Sequence, residues 1–298
     1  MKWQGVVPAI TTPFRPDLSV DADLLRRQID ALVSGGCTGI VALGSLGEGG
    51  SLSFDEKKAV LRLCREALAA RAPLVAGVAA TTTAEAVALA ELGREAGCDG
   101  LMVLPPYVYR GDWRETEAHF AAVIRSTTLP CMLYNNPIAY GTDVSPEQVQ
   151  ALAAALPNLV AVKESSGDIR RVTALRALLS DRLALFVGID DLVLEGVQAG
   201  AVGWIAGLAD ALPAEAVRLF DLAAAGQLEQ ARALYDWFLP LLRLDTVPKF
   251  VQLIKLVQQE TGLGSEVVRP PRLALTGGER EQALRTIRDT LARRPAAR

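Results

Sequence analysis

The sequence predicts an α/β fold, a (β/α)8 TIM barrel with a C-terminal helical appendage. Three observations carry that expectation. Eight short apolar runs alternate with helical windows over residues 1–225, a nine-residue pattern recurs among them, and reactive side chains collect where the runs end. A doubly wound sheet is the alternative assembly of the same elements.

The runs are VVPAI (6–10), GIVALG (39–44), PLVAGV (73–78), GLMVLP (100–105), PCMLYN (130–135), LVAVK (159–163), LALFVG (183–188) and VGWIAG (202–207). Short stretches of branched and small apolar residues between glycine and proline turn signals read as strands buried on both faces, as parallel strands are. In DEKKAVLRLCREALAA (55–70), Val60, Leu63, Cys64, Ala67 and Leu68 share one helical face. SPEQVQALAAAL (145–156) begins with a Ser145 cap, Pro146 at the first helical position and Gln148 closing a capping box. GGCTGIVAL (35–43) recurs as AGCDGLMVL (96–104), 61 positions on, and more weakly as AGAVGWIAG (199–207). That offset is about two βα units, so the echo marks the second, fourth and eighth strands.

Beyond residue 225 the strand signal ends. QLEQARALYDWFLPLLRL and VPKFVQLIKLVQQE are helical windows, and residues 226–298 are expected to form a helical domain behind a catalytic barrel of residues 1–225. Their large apolar residues predict packing against the barrel or a neighbouring subunit.

Composition narrows the function. With 298 residues, 50% hydrophobic and 22% charged, and a net charge of −3, the chain is an ordinary globular protein without the basic stripe that a nucleic acid or membrane surface requires. His119 is the sole histidine, and Cys37, Cys64, Cys98 and Cys131 form no CxxC pair. A structural zinc, a Ser-His-Asp triad and a Cys-His dyad are therefore all disfavoured. MKWQGVVPAITTPF has no apolar leader core and no 18-residue apolar span follows, so the expected location is cytoplasmic.

In such a barrel, catalytic groups project from the C-terminal strand ends. Here those ends read GSLGEGGS, PPYVY, YNNP, KESSGD, GIDD and IAGLAD. GSLGEGG matches neither a P-loop nor G-x-G-x-x-G. Its amides and the Ser45 hydroxyl can cradle a carboxylate, or the stretch can be a tight βα turn. Tyr134 reads either as a core tyrosine or as an acid–base phenol in a protein short of histidine. Asp190 and Asp191 read as caps of the following helix. The glycine amides near Gly207 leave open a phosphate-using barrel, although no basic side chain accompanies them. Of six lysines, Lys163 is the one that ends a predicted strand. A dry barrel mouth disfavours its ammonium form and leaves amine free to attack a ketone.

The order GSLGE, PPY, YNNP, VKES, GWIAG, VPKFVQ, VRPP resembles the dihydrodipicolinate synthase and N-acetylneuraminate lyase family over essentially the whole chain. The resemblance implies a barrel with a helical C-terminal domain, a homotetramer built as a dimer of dimers, a small 2-oxo acid substrate, and no metal or organic cofactor. Lys163 is implied as the Schiff-base residue, Tyr134 as the proton-transfer phenol, and Ser45 as the hydroxyl beside it. Substrate contacts fall on Ser45, Leu46, Gly47, Tyr107 and Ile205, with the amides of Ser45 and Leu46 on the carboxylate. The imine would act as an electron sink for breaking a bond at or beyond C3.

Three departures bear on the reaction. Leu46 stands where the family usually has a second hydroxyl; Tyr107-Val108 replaces a tyrosine pair whose second member reaches a neighbouring subunit, leaving Tyr109 as a possible substitute; and Ala139 occupies the place of a carboxylate-binding arginine. Losing a charge-assisted donor costs about 1.5–3 kcal/mol. The expectation is a catabolic lyase, dehydratase or deaminase rather than a lysine-biosynthetic enzyme. A 2-keto-3-deoxy sugar acid dehydratase or aldolase and a pyrroline-4-hydroxy-2-carboxylate deaminase both stay open. So does a reading from another class, a non-catalytic barrel that binds a carboxylate.

Overall fold

The structure is a computed structural model that describes residues 2–295. All eight predicted runs are strands: β1 (Gly5–Pro8), β2 (Ile40–Ala42), β3 (Leu74–Val78), β4 (Gly100–Val103), β5 (Cys131–Asn135), β6 (Leu159–Glu164), β7 (Ala184–Val187) and β8 (Gly203–Ala206). They pair in parallel in the order β1-β8-β7-β6-β5-β4-β3-β2. The two ends of that order meet through an Ala9–Val41 bridge and the Thr38 amide on the Val6 carbonyl, 2.8 Å, so the sheet closes on itself. The doubly wound alternative is thereby removed. Most predicted strands lose a residue or more at their C-terminal ends, because Leu43, Gly44, Leu104 and Gly188 already belong to the loops of the rim.

Closure buries each strand twice, against the barrel interior and against the outer helices, which is why β2 to β5 and β8 contain only buried residues. The helix Phe54–Leu68 is held at its start by a capping box between Ser53 and Glu56. It buries Val60, Leu61, Cys64 and Leu68, with Leu63 and Ala67 half-buried on its flank. The apolar stripe thus includes Leu61 as well as the predicted positions. Pro146–Ala155 begins as expected, with Ser145 accepting from the Gln148 amide and Gln148 answering on the Ser145 amide.

The expectation for Asp190 and Asp191 is corrected. Neither side chain caps the helix Val193–Gln198. After β7 the chain makes a single tight turn, Asp190–Leu192, which aims Asp190 across the barrel end. Its buried carboxylate accepts from Trp204 Nε1 (2.9 Å) and from the amides of Gly207 (3.1 Å) and Leu208 (2.7 Å), so it braces the loop after β8. Asp191 faces Arg243 instead, at 3.7 Å.

Three helices follow the barrel: Leu228–Leu242, Phe250–Glu260 and Gly277–Leu291. Every residue from Val251 to Gln258 is buried. Gln258 accepts from the Thr11 hydroxyl (2.8 Å) and donates to the Asp210 carbonyl (3.2 Å), while Lys255 reaches the Thr12 carbonyl (2.8 Å). The apolar tail therefore packs on its own barrel. Among the described residues no helix is long and apolar enough to cross a membrane.

Candidate active site

Parallel register sets the first pair. Tyr134 on β5 lies opposite Lys163 on β6, both near the C-terminal ends of their strands. Lys163 is 6% exposed, and its Nζ stands 3.9 Å from the centroid of the Tyr134 ring. Among the described residues it makes no hydrogen bond or ion pair through that nitrogen. Gly188, just after β7, keeps this arrangement possible, since a Cβ there would fall 2.0 Å from Ser165 Oγ and 2.5 Å from Lys163 Cε.

The amine opens on a cavity of about 1000 Å³ at the C-terminal mouth. Ser45, Leu46, Tyr107, Tyr134, Lys163 and Ile205 all line it. Gly47 does not. Its carbonyl accepts from the Thr12 hydroxyl at 2.7 Å, and a Cβ on it would meet the Ile10 carbonyl at 2.8 Å, so it backs the loop from behind. Leu46 fills the wall with a buried apolar side chain where the family usually offers a hydroxyl.

The hydroxyls are arranged differently from the expected pairing. Tyr134 accepts from Asn136 Nδ2 at 3.0 Å. Ser45 Oγ instead shares a short hydrogen bond with the hydroxyl of Tyr140. The Tyr140 ring lies 5.7 Å from Tyr134, edge-on, and 5.4 Å from Tyr107. Burial, then the neighbouring phenols of Tyr134 and Tyr107, pushes the Tyr140 phenol far above the usual tyrosine range, with the Ser45 bond opposing. Burial also raises Tyr107. These phenols stay protonated.

The lining residues that escaped the sequence reading include Tyr140, Arg110, Arg272 and Asp245. Tyr140 had a local signal. Asn136 accepts from the Ala139 amide at 3.0 Å and Pro137 opens a four-residue helical turn, which folds Tyr140 back over the mouth. Arg110 lies over Gly141, where a Cβ would touch its guanidinium. Asp245 arrives from the segment between two C-terminal helices. Its Oδ1 is buried without a hydrogen-bond partner, and burial, reinforced by Asp190 and opposed by Lys163, raises its carboxyl well above the ordinary range. Nothing near Asp245 in sequence announces a place in the barrel mouth.

Tyr109, the substitute considered for the family's second tyrosine, does not line the cavity of its own chain. Tyr109 is 56% exposed and donates its hydroxyl to the Glu115 carboxylate at 3.0 Å. Val108 projects outward, 90% exposed, with a left-handed φ of 71°.

A lysine nitrogen left uncommitted beside tyrosine rings, at the mouth of a closed parallel barrel, suits addition to a substrate carbonyl, and the protein is a class I lyase, one that works through a lysine Schiff base. The chain belongs to the Dihydrodipicolinate synthetase family, whose model matches residues 2–290. It is 35% identical over 272 residues to a 4-hydroxy-tetrahydrodipicolinate synthase of Rhizobium meliloti strain 1021, covering 91% of this chain and 92% of the relative. It is 36% identical over 299 residues to the enzyme of that name from Xanthomonas axonopodis pv. citri strain 306, covering 98% and 96%. Among solved structures, the 4-hydroxy-tetrahydrodipicolinate synthase of Methylacidiphilum fumariolicum SolV superimposes with a TM-score of 0.92 at 30% identity over 97% of this chain and 95% of that one. The chloride-inhibited dihydrodipicolinate synthase of Acinetobacter baumannii, complexed with pyruvate, gives 0.93 at 29% over 97% and 99%.

Proposed function

We propose that Lys163 condenses with the keto carbon of a 2-oxo acid, pyruvate or a pyruvate bearing a substituent at C3, and that the enzyme breaks a bond in that adduct in a catabolic direction. One observation carries the reading: Lys163 Nζ is buried at the cavity floor, faces the Tyr134 ring, and has no acceptor committed to it among the described residues.

The amine adds to C2 and forms the N–C bond while the carbonyl π pair moves to oxygen. Proton transfer from nitrogen to that oxygen gives the carbinolamine. Departure of the hydroxyl as water, with a second proton, leaves the iminium. A bond from C3 to hydrogen or carbon then breaks, its electron pair forms C2=C3, and the iminium π pair returns to nitrogen as the enamine. Tyr134, 3.9 Å away through its ring, is the phenol placed to exchange protons there, and the amides of Ser45 and Leu46 are the donors for the substrate carboxylate.

Three residues support a substrate other than that of the named relatives. Ala139 offers no charge, Leu46 no hydroxyl, and Val108 no phenol. The cavity lining carries Arg110, Arg272 and Asp245 instead, a mixed set suited to a substrate with an anionic end and a hydroxyl or amine between. A 2-keto-3-deoxy sugar acid and a hydroxylated pyrroline carboxylate both meet that description. A cytoplasmic homotetramer belongs to the same reading.

The test is direct. The protein is incubated with pyruvate, reduced with borohydride and mapped by mass spectrometry; the expected product is one pyruvate-derived adduct on Lys163. A panel of 2-keto-3-deoxy acids and pyrroline carboxylates, followed for pyruvate, ammonia and semialdehyde, then identifies the reaction. Ligand-induced stabilisation without adduct or turnover would instead mark a non-catalytic binding barrel.

A further inference from the structure

We propose that the Tyr140 hydroxyl is a catalytic proton-relay group that links Tyr134 to Ser45 within one chain, so that the site needs no phenol from a neighbouring subunit. The inference rests on the Schiff-base reading above.

The geometry places Tyr140 in the middle. Its hydroxyl is hydrogen-bonded to Ser45 Oγ, and its ring meets the Tyr134 ring edge-on at 5.7 Å. No Ser45–Tyr134 hydrogen bond is made, whereas Tyr140 is bonded to Ser45 and packs against Tyr134, so it stands between the two. The two outer-loop positions after Tyr107 put no hydroxyl into this chain's own cavity. Val108 has no hydroxyl, and the Tyr109 hydroxyl is turned away onto Glu115. The Asn136–Pro137 turn holds Tyr140 in place: Asn136 uses its Oδ1 to cap the turn and its Nδ2 to fix the Tyr134 oxygen. One asparagine thereby orients both phenols.

Burial and the neighbouring phenols keep Tyr140 protonated. A phenol that stays neutral moves a proton only by giving one and receiving another in the same event. When the C3–H bond of the iminium breaks, its electron pair forms C2=C3 and the proton leaves through Tyr134. Tyr140 accepts that proton on oxygen and releases its own to Ser45, which passes one to water in the cavity. No charge is left on any member. The reverse passage supplies the proton with which the carbinolamine hydroxyl departs as water.

Tyr140→Phe tests this, since it keeps both ring contacts and removes one oxygen. In the wild type, pyruvate is expected to form a borohydride-trapped adduct and to exchange its methyl protons in D2O, followed by NMR. In Tyr140→Phe the adduct is expected at saturating pyruvate, with an unchanged melting temperature, while the exchange rate falls about 100-fold. Ser45→Ala should show the same split, and the double variant should be no slower than the slower single one, because both interrupt one path. Exchange within about twofold of wild type in Tyr140→Phe, or losses that multiply in the double variant, would overturn the relay. Mixing Lys163→Ala chains with Tyr140→Phe chains separates the subunit question: no exchange above that of Tyr140→Phe alone is expected, and a rise above it would show that Tyr140 serves another chain's site. Failure of the wild type to form any adduct would remove the Schiff-base reading and this inference with it.

Discussion

Two lysines lie buried on the same side of this barrel, and only one is placed for covalent chemistry. Lys255, 1% exposed, directs its three N–H bonds to Glu48 Oε1 (2.5 Å), the Thr12 carbonyl (2.8 Å) and the Val267 carbonyl (2.8 Å). Burial lowers its amine to about 8, with Glu48 opposing. Lys163 is buried to nearly the same degree, yet its nitrogen faces an aromatic ring and open cavity. A lowered proton affinity is thus insufficient to make a nucleophile. What separates the two is the number of acceptors committed to the nitrogen, because an ammonium with three partners has no direction left from which to meet a carbonyl.

The contrast is broken most severely at Lys163. Lys163→Ala is expected to abolish the adduct and lower turnover at least ~10⁴-fold, while the melting temperature stays within a few degrees because no ion pair is lost. Adduct formation at Lys255 in that variant would show that burial alone suffices.

Lys255→Met should do the opposite. Removing one partner strands the Glu48 carboxylate in the interior, which costs about 3–5 kcal/mol, read from urea unfolding. The borohydride adduct on Lys163 should still form. Loss of the adduct in a protein shown to be folded would mean that Lys255 helps to shape the site.

The smallest effect concerns how the Lys255 region is fastened. Arg269 donates its amide to Glu48 (3.0 Å) and its guanidinium to both oxygens of Glu56, each at 2.8 Å. The Arg269 hydrogen bonds, followed by the Ser53 amide, hold the Glu56 carboxyl near 2 against an ordinary 4.5. A carboxylate depressed on folding contributes stability that is complete above about 4.5 and is lost as the pH falls toward 2. Glu56→Gln should therefore flatten that part of the acid unfolding curve and leave stability near neutrality only slightly reduced, by salt-screened terms of the usual surface size. An unchanged acid limb in the variant would show that the Arg269 clamp does not contribute.

How much of this was legible depended on distance along the chain. Strand positions, the Ser145-Pro146-Gln148 helix start and the placing of Lys163 on the rim all follow from neighbours within a few residues. Asp190 was misread because a carboxylate before a helix looks like a cap, whereas its three donors come from residues 204 to 208. Tyr140 carried a readable turn signal, Asn136-Pro137, but nothing in it says that the following phenol meets Ser45. Asp245 and Lys255 were beyond local reasoning, since Asp245 packs against Gly207 after β8 and Lys255 meets Glu48 and Thr12, 207 and 243 positions away.

By itself the sequence determined the barrel, the strand on which the reactive amine sits and its resemblance to a family of Schiff-base lyases, because period, turn residues and motif order are local properties. Only the tertiary structure decided which buried lysine keeps a free approach, which phenol holds Ser45 and which carboxyl overhangs the mouth. Those outcomes depend on closure of the sheet and docking of the C-terminal helices, which bring donors and acceptors together irrespective of their separation in the chain.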